Sequence, residues 1–175
     1  MKGTAMITFC AFSLVVVACA ARHPVRIISE YGSTSTYLRA PYAPAPYHEG
    51  VDIAGSIGDE VIAAADGVVL IAGMGAGEPT RCGIGIYATI PGSGGYRIRY
   101  CHLSRVVLQF GDDFKRGELI GYLGATGNAG PTPHVHYEIR QPGGGTEDPL
   151  SFTVGCFNPS AEYKTGLVLT YPVKC

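Results

Sequence analysis

From residue 51 onward the chain alternates short apolar or β-branched runs with glycine-rich breaks, the runs falling at 51–54, 60–64, 67–72, 84–90, 96–103, 119–123 and 135–140. Short segments rich in Val, Ile and Tyr and bounded by Gly or Pro read as strands. The spacer Pro91-Gly92-Ser93-Gly94-Gly95 joins two such runs, as a hairpin loop does. Gly58-Asp59-Glu60-Val61-Ile62 and Arg116-Gly117-Glu118-Leu119-Ile120 echo one another and predict two similar turns in a sheet. One short helical stretch is expected at 104–107. The pattern as a whole predicts a mostly β fold.

Composition narrows this further. With 175 residues, 25 of them Gly and 15% charged, the chain has room for one ordinary domain and too few charged residues to clothe a helical bundle. A formal net charge of -1 leaves no electrostatic footprint for nucleic acid. Residues 1–18 have the basic start and apolar middle of an export signal. Val16-Val17-Ala18-Cys19 resembles a bacterial lipobox, predicting cleavage before Cys19 and a lipid on its thiol; Ala18-Cys19-Ala20 alternatively suits simple signal-peptidase cleavage. Residues 19–47, with Pro41, Pro44 and Pro46, are expected to form an extended arm that covers the body. Of the six cysteines, Cys82, Cys101, Cys156 and Cys175 remain in the body of an exported chain. An even number predicts two disulfides, and pairs 82–101 and 156–175 are favoured because each brackets a segment that can fold back on itself.

Candidate chemistry centres on histidine. Alternation along 134–140 sends Val135, Tyr137 and Ile139 to one face and His134, His136, Glu138 and Arg140 to the other. Two imidazoles on one face then stand about 6 to 7 Å apart, so that one can bind a metal while the other reaches water. His48 and Asp52 share parity in an extended chain, and N and O donors of this kind suit Zn²⁺ held by three protein ligands. His48, Asp52 and one of His134 or His136 make up that count. Parity also groups Tyr96, Ile98, Tyr100 and His102, so His102 is expected to look toward the same cleft.

These segments resemble, in order, the lysostaphin-like or LytM-type zinc metalloendopeptidases that cut bacterial cell-wall peptides. The resemblance is carried by His48-Glu49-Gly50-Val51-Asp52, Tyr100-Cys101-His102-Leu103-Ser104, the turn beginning Lys115-Arg116-Gly117-Glu118, and Pro133-His134-Val135-His136-Tyr137-Glu138. It implies an antiparallel sheet core of the lysostaphin-like, duplicated hybrid motif type, with Gly-rich loops bounding a narrow cleft. It further implies one Zn²⁺ on His48, Asp52 and His136, with His134 and His102 as catalytic residues, and peptidoglycan peptides as substrate. The metallopeptidase domain is then 48–150, and 151–175 is a C-terminal extension expected to be tied by a disulfide. The protein would work in the cell envelope, lipid-anchored through Cys19. One departure is Thr132, where the family usually has Gly before the last Pro-His.

Two other functions compete. A relative without catalysis would bind and activate wall amidases, but such proteins usually lack metal ligands that this chain keeps. A lipoyl-type carrier would need a modifiable lysine at a hairpin tip, and Lys115, Lys164 and Lys174 occupy no such position.

Overall fold

The computed structural model describes residues 24–34, 47–77 and 79–175. The expected export signal, Cys19 and most of the arm lie outside these residues. Twelve elements matter for the site: β1 (Ile27–Ser29), β2 (Val51–Ala54), β3 (Glu60–Ile62), β4 (Gly67–Met74), α1 (Pro79–Cys82), β5 (Ile84–Thr89), β6 (Arg97–Leu103), β7 (Arg105–Val106), β8 (Asp113–Phe114), β9 (Leu119–Tyr122), β10 (His134–Arg140) and β11 (Thr146–Glu147).

Every strand pairing is antiparallel. The larger sheet runs β1-β2-β10-β6-β5-β4-β8, with β11 also on β10, and the smaller runs β3-β9-β7. One core joins the two sheets: Val51, Ile53, Ile86, Ile98, Tyr100 and Tyr137 from the larger meet Val61 and Ile120 from the smaller. The mostly β, antiparallel architecture is the one expected. The Gly-rich hairpin at 91–95 connects adjacent β5 and β6, and the two echoing segments place β3 and β9 side by side, with Val61 opposite Gly121.

The helical expectation at 104–107 is overturned. Arg105–Val106 is strand β7, paired with Tyr122 and Gly121 of β9. The flanking amides of Ser104 and Val107 donate to the carbonyls of Tyr122 and Ile120, at 2.8 and 3.0 Å. With those donors committed to a neighbouring strand, no helical turn can form.

Both favoured disulfides are present, Cys82–Cys101 and Cys156–Cys175. Each closes a sequence separation of 19 residues, a loop size for which chain-entropy arguments give about 3 kcal/mol of stabilisation. Residues 151–175 are knitted into the body rather than appended to it. Leu169, Thr170 and Tyr171 are buried, Thr170 N–H donates to the Ala64 carbonyl at 2.9 Å, and Ile62 N–H donates to Pro172 at 2.9 Å. Arg116 reinforces the seam, donating at 2.7 Å to both Ala64 and Val168 carbonyls.

Candidate metal centre and active site

The register of the larger sheet assembles the centre. His136 sits opposite Asp52 across the β10–β2 ladder and opposite Cys101 across the β10–β6 ladder. Directly opposed residues in antiparallel strands have their Cβ atoms about 5 Å apart, so a carboxylate on β2 and an imidazole on β10 meet without any loop. His48 enters from the segment before β2. Its Nε2 lies 2.9 Å from His136 Nδ1 and 3.1 Å from Asp52 Oδ1, and His136 Nδ1 lies 2.9 Å from Asp52 Oδ1. Zinc bonds of about 2.0–2.1 Å in a tetrahedron set ligand atoms about 3.3 Å apart. The triangle is close to that size, and its two nitrogens and one oxygen are donors zinc accepts, so these residues fit the group.

The outer nitrogens explain why the inner ones face the centre. His48 Nδ1 lies 3.1 Å from the Glu30 carbonyl, which can only accept, and 3.0 Å from Ser29 Oγ. Nδ1 is thereby held outside the centre, and Nε2 is the nitrogen turned toward it. The backbone clamps His48 too: its N–H donates to Ser33 at 2.9 Å and its carbonyl accepts from Gly32 at 2.8 Å. His136 is held from the opposite side, its Nε2 3.3 Å from Glu138 Oε2. Glu138 is buried and also accepts from Arg99 at 2.9 Å and Arg140 at 2.7 Å. Gly50 is required here, since a Cβ at that position would lie 2.7 Å from the His136 ring.

Electrostatics follow from these contacts. Burial pushes the Asp52 carboxyl up, but hydrogen bonds from His136 and His48 reverse this and hold it well below the usual carboxylate range. Burial pulls His136 down, yet its bonds to Asp52 and Glu138 raise it to about 9 in the metal-free protein. Glu138 shows the same contest: burial raises it, and His136 with its arginine neighbours lowers it further.

His134 and His102 stand beside this triangle with ring centroids 4.8 Å apart. His134 Nδ1 donates to the Thr132 carbonyl at 2.7 Å, turning Nε2 to within 3.6 Å of Asp52 Oδ1. His102 Nδ1 donates to the Thr126 carbonyl at 2.8 Å. Burial, aided by the neighbouring His136 and His134, pushes His102 down to about 3, so it is neutral with an acceptor nitrogen available. The Thr126 hydroxyl is fixed in turn, donating to Leu103 at 2.8 Å and accepting from Ile84 N–H at 2.9 Å.

His102 reaches the cleft by a route that parity does not foresee. Tyr100, its expected face-mate, is fully buried in the core, with its hydroxyl bonded to Ala64 N–H at 2.9 Å. Arg99 and Cys101 line the cleft instead. Between Tyr100, opposite Ile86, and Leu103, opposite Ile84, strand β6 holds one residue more than β5. This bulge puts His102 in the left-handed region at φ +66° and swings it onto the cleft side.

His48, Asp52, His102, His134 and His136 thus all line one cleft of about 550 Å³. Ser29 and Glu30 have no role in the sequence analysis, and Thr126 and Glu138 enter it without one, as members of segments that carry the resemblance and, for Glu138, of a polar face. The shared parity of Glu138 with His136 was the one available signal; the others contact histidines from distant segments.

Residues 46–149, more than half of the chain, match the sequence profile of peptidase family M23. The peptidoglycan DD-endopeptidase ShyA of Vibrio cholerae is 38% identical over 92 residues, which cover 53% of this chain and 20% of that protein. The chain spans only about a fifth of the length of the curated relatives it matches. Among solved structures, the catalytic domain of lysostaphin from Staphylococcus simulans aligns with a TM-score of 0.62 and 28% identity, covering 73% of this chain and 91% of that one. A zinc-containing peptidase from Vibrio cholerae aligns with a TM-score of 0.53 and 28% identity, covering 66% of this chain and 33% of that one.

Proposed function

Because the chain belongs to peptidase family M23, we propose that it is a zinc-dependent endopeptidase that hydrolyses peptide bonds in the stem or cross-bridge of bacterial peptidoglycan. The observation that carries this reading is the triangle of His48 Nε2, Asp52 Oδ1 and His136 Nδ1, with two further imidazoles at its open side. His48, Asp52 and His136 would hold Zn²⁺, one per chain. The ion supplies Lewis-acid polarisation of the scissile carbonyl and brings the pKa of a water toward about 7.

The chain's own residues do the rest. His134, whose Nδ1 is held by the Thr132 carbonyl so that Nε2 is the nitrogen left to face the cleft, takes the proton of the attacking water at Nε2 as general base. His102, tied in the same tautomer by Thr126 and 4.8 Å from His134 between ring centroids, accepts that proton from His134 at Nε2 and relays it to the leaving amine, which leaves both imidazoles neutral. Its neutral state suits a relay better than a permanent charge facing the oxyanion. Relatives named as peptidoglycan DD-endopeptidases support the substrate class, and the solved zinc-containing peptidase supports the choice of metal.

Such a substrate lies outside the cytoplasm. Two disulfides fit an oxidising compartment, and an export signal at 1–18 with a lipid on Cys19 would bring the enzyme to the cell envelope. A binding module that activates wall amidases would have no use for a complete donor triangle. Mass spectrometry of fragments released from purified wall by the zinc-loaded protein tests the proposal. New amino termini within stem or bridge peptides are expected; an undigested wall overturns it.

A further inference from the structure

Two consecutive residues of β6, Cys101 and His102, both line the cleft, which is the mark of the bulge. On the β10 side Cys101 lies opposite His136. On the β5 side the register steps from Tyr100 opposite Ile86 to Leu103 opposite Ile84 and passes over both residues. A bulge disrupts the ladder where it sits. Here a covalent bond replaces the missing link: Cys101 is joined to Cys82, which ends α1 two residues before β5 begins.

The turn at 81–84 that carries Cys82 also reaches His102 by a second route. Ile84 N–H donates to Thr126 Oγ1 at 2.9 Å, and that hydroxyl donates to the Leu103 carbonyl at 2.8 Å. Asn128 N–H donates to the Arg81 carbonyl at 3.1 Å, and a Cβ on Gly83 would lie 2.4 Å from Gly127 N, so the two loops meet backbone to backbone. The Thr126 carbonyl then accepts from His102 Nδ1. The β6 bulge, the 81–84 turn and Thr126 thus enclose His102 in a ring of contacts that the disulfide cross-links. The bond itself sits with Ala76 in a small buried cluster apart from the main core.

The second disulfide provides the contrast. Both bonds close separations of 19 residues, so in chain-entropy terms each constrains the unfolded chain equally. Cys156 packs against the main core, and neither it nor Cys175 lines the cleft.

We propose that Cys82 and Cys101 are positioning residues for catalysis, their disulfide holding the bulge and the 81–84 turn so that the His102 ring stays bonded to Thr126 and within reach of the reacting groups. This rests on the peptidase reading above and adds a support for its proton relay.

The test compares Cys82→Ser/Cys101→Ser with Cys156→Ser/Cys175→Ser, each in the zinc-loaded full chain, on a D,D-linked stem-peptide dimer. Both variants are expected to melt at lower temperature. Only the first is expected to lose kcat, by at least about tenfold, with KM within about twofold and zinc content unchanged, because displacing a catalytic group by about 1 Å costs up to about 10²-fold. Histidine-ring NMR should find His102 protonated at Nδ1 alone in the original protein and in the second variant, and exchanging between both tautomers in the first. An unchanged kcat, an equal loss in the two variants, or the same His102 ring signals in all three proteins overturns the proposal. Should the first variant fail to fold, Cys82→Ala/Cys101→Val, which keeps the buried site apolar, takes its place. If the original protein cleaves neither the dimer nor purified wall, the peptidase reading fails by itself, and the ring signals alone then decide whether the disulfide positions His102.

Discussion

Strand β10 brings His134 and His136 to the cleft by unbroken alternation, whereas β6 brings His102 there by interrupting it. On β10, Val135, Tyr137 and Ile139 fill the core while the intervening histidines and Glu138 face the cleft. Both edges of the strand are hydrogen-bonded, to β2 and to β6, and its backbone carries no unusual conformation. On β6 the extra residue forces a non-glycine side chain to φ +66°, a conformation costing roughly 1–2 kcal/mol. The cost is tolerated because Thr126 and the Tyr122 carbonyl hold the residues around the bulge. The contrast teaches that regular pairing suits groups that hold an ion between strands, and a bulge suits a group that must reach the ion's neighbourhood from a strand facing the wrong way.

The comparison is broken most severely at β10. His136→Ala is expected to abolish metal binding and activity together, with a loss of at least about 10³-fold in kcat/KM, because the Lewis acid supplies several kcal/mol. Elemental analysis beside a wall-digestion assay reads both quantities. His134→Ala, two residues away, separates them: full metal content with turnover lower by about 10² to 10⁴. Normal turnover in that variant would remove His134 from the general-base role.

At β6 the difference shows in stability. His102→Gly and His102→Ala both remove the imidazole, but only glycine relaxes the left-handed backbone. Denaturant titrations should find the Gly variant more stable than the Ala variant by about 1 kcal/mol. Equal stabilities would mean that the bulge costs nothing at that residue. Smaller still is the effect of the outer support: Ser29→Ala should weaken zinc affinity about tenfold, measured by chelator competition, because it loosens the His48 ring without touching a ligand.

The pH dependence distinguishes the two histidines in the metal-free protein. The pKa of His136 is raised from 6.5 to about 9, so its contribution to stability is fully present below about 6.5 and is lost as pH rises through about 9. That of His102 is lowered from 6.5 to about 3, so its contribution is present above about 6.5 and lost as pH falls through about 3. A metal ion must displace the His136 proton. Calorimetry at pH 7 in buffers of different ionisation enthalpy should therefore count about one proton released per ion.

What was legible in the sequence divides along the same line. The His-x-His pair and its core-facing partners could be read because a strand's period of two is a local property of the chain. The disulfide pairs could be read because each closes a short separation. The bulge in β6 could not, since it exists only in the mismatch between β6 and β5, a property of two strands together. The support of His48 by Ser29 and Glu30 was hidden for a similar reason: β1 meets β2 with Ser29 opposite Asp52, across a stretch of chain whose composition says only that it is extended. The misread segment at 104–107 contains the two residues of β7, whose partner, β9, lies more than a dozen residues further on.

The seam between the 165–175 segment and residues 62–64 sets an order of assembly. Thr170 and Ala64 are 106 residues apart in sequence, and so large a loop must close before any contact offsets its entropy. The neighbouring pairs β4–β5 and β5–β6 form from local chain and can precede it. Until the 165–175 segment docks, the amide of Ile62 on β3 lacks its Pro172 acceptor and presents an open edge to the strand of another molecule. Pulse-labelled hydrogen exchange would find that amide protected later than those of β5. The time during which newly made chains can stick to one another is therefore governed by the side of the protein farthest in function from its chemistry.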